Sequence, residues 1–255
     1  MATYKKRGGK PSTKTEKETS IEDGSTTAEV FNTLDESASR TEEWVIKNQK
    51  YIFIIVGLSA ALVLGYLGFD KFVQEPKENV ATNDMFQSQQ YFDQAVNGAS
   101  KDSLFTLSLN GADGKYGFLD IADVYSGTAA GNLANYYAGM AYLNMKDYSN
   151  AITYLDTFSS DDDVLGPIAK GGIGDAFVQL EQLDDAYDYY VQASQLKTND
   201  YTTPMYLHKA GMIGLKLENY SKALAFFNQI KSEFPESTEA KDIDVFIGKA
   251  EALIN

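Results

Sequence analysis

Cysteine is absent from this chain, histidine and tryptophan occur once each, and no arginine lies beyond Arg40. Without cysteine there is no disulfide scaffold, no thiolate nucleophile and no cysteine-ligated metal centre. The absence suits an oxidising compartment without establishing one. With His208 as the only histidine, two-histidine metal motifs are excluded, and a Ser-His-Asp triad would depend wholly on that residue. Basic residues are also scarce where they would matter for nucleic acid. Residues 70–255 hold 27 acidic against 13 basic side chains, so the net charge of −14 belongs to that region. A surface that displaces counterions from phosphates needs clustered lysine and arginine. This one offers the reverse.

Short catalytic motifs are equally thin. No Gly-x-Ser-x-Gly elbow occurs. Gly172-Ile173-Gly174 begins like a dinucleotide fingerprint, but Phe177 stands where the third glycine belongs. Asn110 to Gly114 faintly resembles a calcium loop, yet Ala112 and Gly114 occupy the third and fifth ligand positions. The Asp161-Asp162-Asp163 run reads as a helix cap or a solvated stretch. No catalytic, cofactor-binding or metal-binding residue is assigned, and the expectation is a protein that is not an enzyme.

What the chain does possess is one long uncharged run. From Tyr51 to Phe69 no ionisable acid or base interrupts YIFIIVGLSAALVLGYLGF, which is bracketed by Lys47 and Lys50 before and Asp70 and Lys71 after. As a helix at about 1.5 Å per residue it covers roughly 28 Å, near a bilayer's hydrocarbon thickness. Fifty polar residues precede it, which argues against a cleaved signal peptide. A buried core helix would carry a polar face, and this run has none. The reading is a signal anchor at 51–69. Nine of the 22 basic residues precede it, six of them between Lys5 and Lys17. That excess favours a cytoplasmic N-terminus, although the bias close to the span is small. Trp44, Tyr51, Tyr66, Phe69 and Phe72 suit interfacial aromatic belts.

Residues 1–28 are polar and low in apolar content, as disordered tails are. Across 29–50, Val30, Phe31, Leu34, Ala38, Thr41 and Val45 recur at three- and four-residue steps. This pattern fits an amphipathic pre-membrane helix that docks a partner or lies in the interface, and equally a plain helical lead-in. After Pro76, a helix is expected over 78–96. Residues 98–117 carry four glycines and read as a loop with short extended pieces around Leu104–Leu109. A short helix follows over 118–125, so that 78–126 forms a helical N-terminal part of the soluble region.

Beyond Gly127 the chain repeats itself. Gly139, Gly174 and Gly211 are each followed twelve residues later by Ala151, Ala186 and Ala223. Four further on stand Leu155, Tyr190 and Phe227, and three more brings Phe158, Ala193 and Ile230. Such a pattern describes helical hairpins: a small residue lets the first helix approach its partner, and a large side chain one turn later fills the gap. The turns fall at Lys146–Tyr148, Glu181–Leu183 and Glu218–Tyr220. This spacing resembles the tetratricopeptide repeat, with its period near 34 residues, over 132–166, 167–203 and 204–235. The first repeat lacks an aromatic at Asn135, and only the third ends in proline, Pro235. Residues 237–253 read as a capping helix that covers the last repeat. The fold class expected is all-α: one N-terminal transmembrane helix followed by an α-solenoid of helical hairpins.

The resemblance implies a concave face lined by the first helix of each pair. Carried onto this sequence, the inward positions are Leu133, Tyr136, Met140 and Leu143, then Ile168, Gly171, Asp175 and Val178, then Met205, His208, Met212 and Leu215. Methionines with leucines and a tyrosine make a soft lining suited to varied peptide segments. An equally open alternative has the 78–96 helix filling this groove. The order of tail, span, helix and acidic repeats, with the segment Ala130–Tyr142, is similar to YfgM-like membrane-anchored tetratricopeptide proteins of bacterial inner membranes. That similarity implies an ancillary role beside the Sec translocon with a periplasmic chaperone as partner, no cofactor, and repeats in the periplasm. A scaffold for another cell-envelope assembly complex is the alternative.

Overall fold

The computed structural model describes residues 26–98 and 101–254, with side chains from Thr41 onward and at Val30. All regular structure among the described residues is helical. The chain divides into two compact units at Phe69, each described by itself below. The tail expected over 1–28 lies outside the described residues up to position 25, and a helix begins at Thr26.

The first unit contributes α1 (Thr26–Phe69). From Tyr51 to Phe69 its apolar side chains are exposed on every side, and none of its most apolar window is buried in protein. A core helix would be covered by other elements. This one is long and apolar enough to cross a membrane, where backbone groups satisfied within the helix and an apolar exterior are what lipid requires. Of the stripe expected before the span, Phe31, Leu34 and Ala38 lie outside the described side chains.

The second unit opens with a π-helical turn, Asp70–Gln74, followed without a break by α2 (Glu75–Asn97), which has Pro76 in its first turn. Its inward face is Ala81, Met85, Ser88, Phe92 and Ala95. Next comes α3 (Lys101–Asn110), where a loop with extended pieces was expected. Phe105, Ser108 and Leu109 are buried at helical steps, and Phe105 meets Phe92 edge to face at 5.4 Å. Ser, Thr and Asp give this segment little intrinsic helix preference; packing against α2 supplies it. The helix stops at Gly111, whose φ of 75° few other residues tolerate. After α4 (Phe118–Val124), the N-terminus of α5 (Ala129–Asn144) is held from outside its own chain segment. The Glu78 carboxylate accepts from the N–H groups of Ala129 at 2.6 Å and Ala130 at 2.8 Å, and Thr128 Oγ1 accepts from Gly131 at 2.9 Å. Three N–H groups that no helix can satisfy internally are thereby paired, and a negative charge sits at the positive end of the helix.

Three hairpins follow: α5 with α6 (Tyr148–Thr157), α7 (Leu165–Gln179) with α8 (Leu183–Leu196), and α9 (Thr202–Lys216) with α10 (Tyr220–Glu233). Each turns through the same device. Lys146, Glu181 and Glu218 adopt φ of 64°, 60° and 59°. Asp147, Gln182 and Asn219 then donate back to Tyr142, Phe177 and Gly214 at 2.8–2.9 Å, which closes a Schellman motif. Glycine normally fills the left-handed position, because a Cβ there is strained by about 1–2 kcal/mol. Glu181→Gly should therefore raise the stability of residues 70–255 by up to about 1 kcal/mol, part of the relieved strain being offset by unfolded-chain entropy. A urea melt reads this directly, and a loss of stability would mean the Glu181 side chain has an unrecognised role. Beyond α10, a 3₁₀ turn (Glu239–Asp242) leads into α11 (Ile243–Ile254), whose Ile243 and Ala250 join Phe227 and Ile230 in the terminal core.

The glycine pattern acquires its physical meaning here. A Cβ added to Gly139 would stand 2.5 Å from Leu155 Cγ, and one on Gly174 2.7 Å from the Tyr190 ring. One on Gly211 would overlap the ring of Phe227. Ala151, Ala186 and Ala223 are fully buried at the same crossings.

Candidate functional site

Consecutive first helices meet, α5 with α7 and α7 with α9, whereas comparable packing between consecutive second helices is absent among the described residues. The stack is thus joined more closely along the side of α5, α7 and α9, the side that the repeat resemblance makes concave. Helix α2 packs on α3, α4 and α5 and does not share such packing with α7 or α9. It sits beside the first hairpin and leaves the faces of the second and third repeats uncovered.

Along α5, Leu133 and Met140 are half-buried and touch both the core formed with α2–α4 and the cluster around Leu155 and Ile173. Tyr136, also half-buried, has its ring 5.2 Å from that of Phe158 and 5.7 Å from that of Tyr137. Leu143, Asp175 and Val178 line one open hollow of ≈ 440 Å³ together with Asn144, Tyr148, Gln179 and Tyr190. Ile168 is half-buried on α7. Met205 and Val178 pack against the cluster of Ala186, Tyr190 and Tyr206, and Met212 against the terminal cluster. Two positions depart from an open lining. Leu215 is buried beside Phe227 and Ile243, leaving 8 % exposed. His208 lies edge-on to Phe246 of α11, rings 4.9 Å apart, because the capping helix brings an aromatic over that end. Burial there holds the His208 imidazole below its ordinary pKa, with Glu239 opposing.

The centre of the face is more polar than a methionine-rich lining suggests. Lys209 Nζ reaches both oxygens of Asp175, at 2.6 and 2.9 Å, and Tyr190 donates its hydroxyl to the same carboxylate at 2.6 Å. The ammonium also lies over the rings of Tyr190 and Tyr206, at 5.4 and 5.6 Å. Burial first, and then the Asp175 charge, pushes the Tyr190 and Tyr206 phenols well above their ordinary pKa. Both stay neutral, and Tyr190 must do so to donate its hydroxyl to the carboxylate. At Gly171 the Tyr206 ring occupies the volume a side chain would need, stacked at 17° to Tyr190. Tyr190, Tyr206 and Lys209 were not among the expected site residues. Asp175 and Lys209 are 34 residues apart, about one repeat, and opposite charges at that separation are the signal that points to such a bridge.

Among the described residues no cluster of His, Asp and Glu is arranged to hold a metal ion. A second hollow, of ≈ 490 Å³, lies off this face at the N-terminus of α5, where Thr128, Asn132 and Ser159 line it.

The tetratricopeptide repeat family matches residues 133–161, most of the first hairpin. With the helical repeat region already described, the match supports a tetratricopeptide repeat protein. A comparison with curated proteins finds no match. Repeats of this family suggest a scaffold for protein–protein interaction, in keeping with a concave face built from partly exposed apolar side chains.

Proposed function

We propose that the chain is a non-enzymatic membrane-anchored adaptor whose concave face, from Leu133 to Met212, holds extended segments of other proteins. The observation that carries this reading is the row of half-exposed apolar side chains along α5, α7 and α9, uncovered by α2 beyond the first hairpin. Buried apolar anchors dominate such interfaces. The hollow lined by Leu143 and Val178 is the natural seat for one of them. On this reading α1 anchors the chain in a bacterial inner membrane with its N-terminus in the cytoplasm, and the repeats meet secretory proteins or a chaperone near the Sec translocon. Support for that placement is the lysine and arginine excess before Tyr51 together with the similarity to YfgM-like proteins.

The test is photo-crosslinking in native membranes from Tyr136 and Met205, followed by mass spectrometry, with a reporter active only outside the cytoplasm fused after Asn255. An active reporter and adducts with translocon or chaperone subunits are expected. Leu143→Ser with Val178→Ser should reduce those adducts several-fold while circular dichroism stays unchanged. Adducts dominated by other envelope proteins would favour the alternative scaffold. No adducts at all, or adducts indifferent to the double substitution, would remove the groove.

A further inference from the structure

We propose that α2 pairs in parallel with the α2 of a second copy of this chain. Five exposed residues follow steps of three and four along its outer side: Pro76, Asn79, Asn83, Phe86 and Gln90. That is the seam spacing of a left-handed helix pair. It lies opposite the buried face of Ala81, Met85, Ser88 and Phe92. Phe86, on this seam, is 61 % exposed, and Val80 beside it 51 %.

Charge identifies the occupant. Two copies of a region holding 27 acidic and 13 basic residues repel over most of their surfaces. The outer face of α2 from Asn79 to Gln90 carries no ionisable group, although ionisable residues are present on the helix. Lys77, Glu78 and Asp84 are engaged within the chain, with Ser126, with the N-terminus of α5, and with the Tyr125 hydroxyl. In a parallel two-fold pair each seam residue meets its own counterpart. A carboxylate meeting itself repels; an amide donates to and accepts from its twin. Asn83, at the middle of the seam, is the kind of residue that fixes register and favours two strands at a cost in stability. With Pro76 and Phe86 as the only apolar members of this seam, the pairing is weak in free solution. Anchoring through α1 makes neighbouring copies parallel and raises their effective concentration. Within α1, Gly57, Ala61 and Gly65 recur at four-residue steps, and space is open beside both glycines, a spacing that permits close approach of two span helices.

The chain lacks cysteine, so single cysteines in the full chain report contacts without background. Oxidation of native membranes with copper–phenanthroline should give disulfide-linked dimers at Asn79→Cys, Asn83→Cys, Phe86→Cys and Gln90→Cys. Yields should be several-fold above those of the exposed controls Ser149→Cys and Ser221→Cys. Adding Asn83→Asp to Phe86→Cys should cut the yield several-fold, and adding Asn83→Gln should largely keep it. Because position 83 is exposed, both variants retain the fold by circular dichroism. Equal yields at seam and control positions would overturn the proposal, as would seam adducts formed only with other proteins.

Discussion

Phe227→Ala should destabilise residues 70–255 by about 3–5 kcal/mol, the cost of removing a buried aromatic ring. Gly211→Ala, made alone, should cost about 1–3 kcal/mol, because the added methyl would overlap that ring and the core has no slack to receive it. The two changes together should cost clearly less than their sum. With the ring gone, a methyl on Gly211 fills part of the space it left. Urea melts of the four proteins give the coupling as a double-mutant cycle. Strict additivity would show that glycine and phenylalanine do not face each other across the α9–α10 crossing, and the hairpin register would fall with it. Equivalent pairs, Gly139 with Leu155 and Gly174 with Tyr190, predict the same behaviour in the other hairpins.

That crossing was legible in the sequence because a steric rule leaves a trace at fixed spacing. A close approach of two helices demands a residue without a side chain on one helix and fills the gap with a large one on the other. Gly139, Gly174 and Gly211 therefore announce themselves together with Leu155, Tyr190 and Phe227. The uncharged run of α1 is readable for a similar reason: a helix long and apolar enough to cross a membrane has to be free of charge along its whole length, so the pattern shows at every residue from Tyr51 to Phe69. Helix α3 was not legible. Phe105–Leu109 alternates apolar and polar residues as a strand does, and only the packing of Phe105 and Leu109 beneath α2 decides for a helix. Local preference was overridden by a surface 10 to 25 residues away in sequence.

The expected site residues are first-helix positions carried over from the repeat, and four contacts of tertiary origin change what some of them offer. Phe246 arrives from α11 and covers His208, and the terminal core closes over Leu215. At the centre, the bare Gly171 admits Tyr206 from the next hairpin, and Asp175 is neutralised by Lys209. A position-by-position transfer of inward-facing sites cannot foresee these, because each depends on a residue from another helix, either of a neighbouring repeat or of the terminal cap. The consequence for binding is physical. The middle of the face presents a satisfied ion pair framed by two neutral tyrosines. Asp175 and Tyr190 bound the hollow that they share with Leu143 and Val178, so an incoming apolar side chain would have to seat against Leu143 and Val178 beside them.

Phe92→Ala should be as damaging as the loss of Phe227, at about 3–5 kcal/mol, and its effect should reach beyond stability. The Phe92 ring joins four elements: it meets Phe105 of α3 at 5.4 Å, Phe118 of α4 at 6.2 Å and Tyr137 of α5 at 5.1 Å. Edge-to-face contacts of this kind add roughly 0.5–1.5 kcal/mol per pair to the area buried. Helix α2 is thus tied to α3, α4 and α5 through a core in which Phe92 sits with Ala81, Met85 and Ala95, helped by Glu78 at the start of α5. Six residues earlier on the same helix, Phe86 points outward, and Phe86→Ala should change the stability of residues 70–255 by no more than about 0.5 kcal/mol. The contrast is informative because both substitutions remove the same atoms from one helix. Hydrogen exchange in the Phe92→Ala variant should show α2 and α3 opening at lower free energy than α7–α10, since the repeats stack on their own neighbours and lose only one contact with Tyr137. Uniform loss of protection throughout 70–255 would instead mean that the α2–α4 layer and the repeats unfold as one cooperative body. Equal costs for Phe92→Ala and Phe86→Ala would contradict the placement of α2 itself.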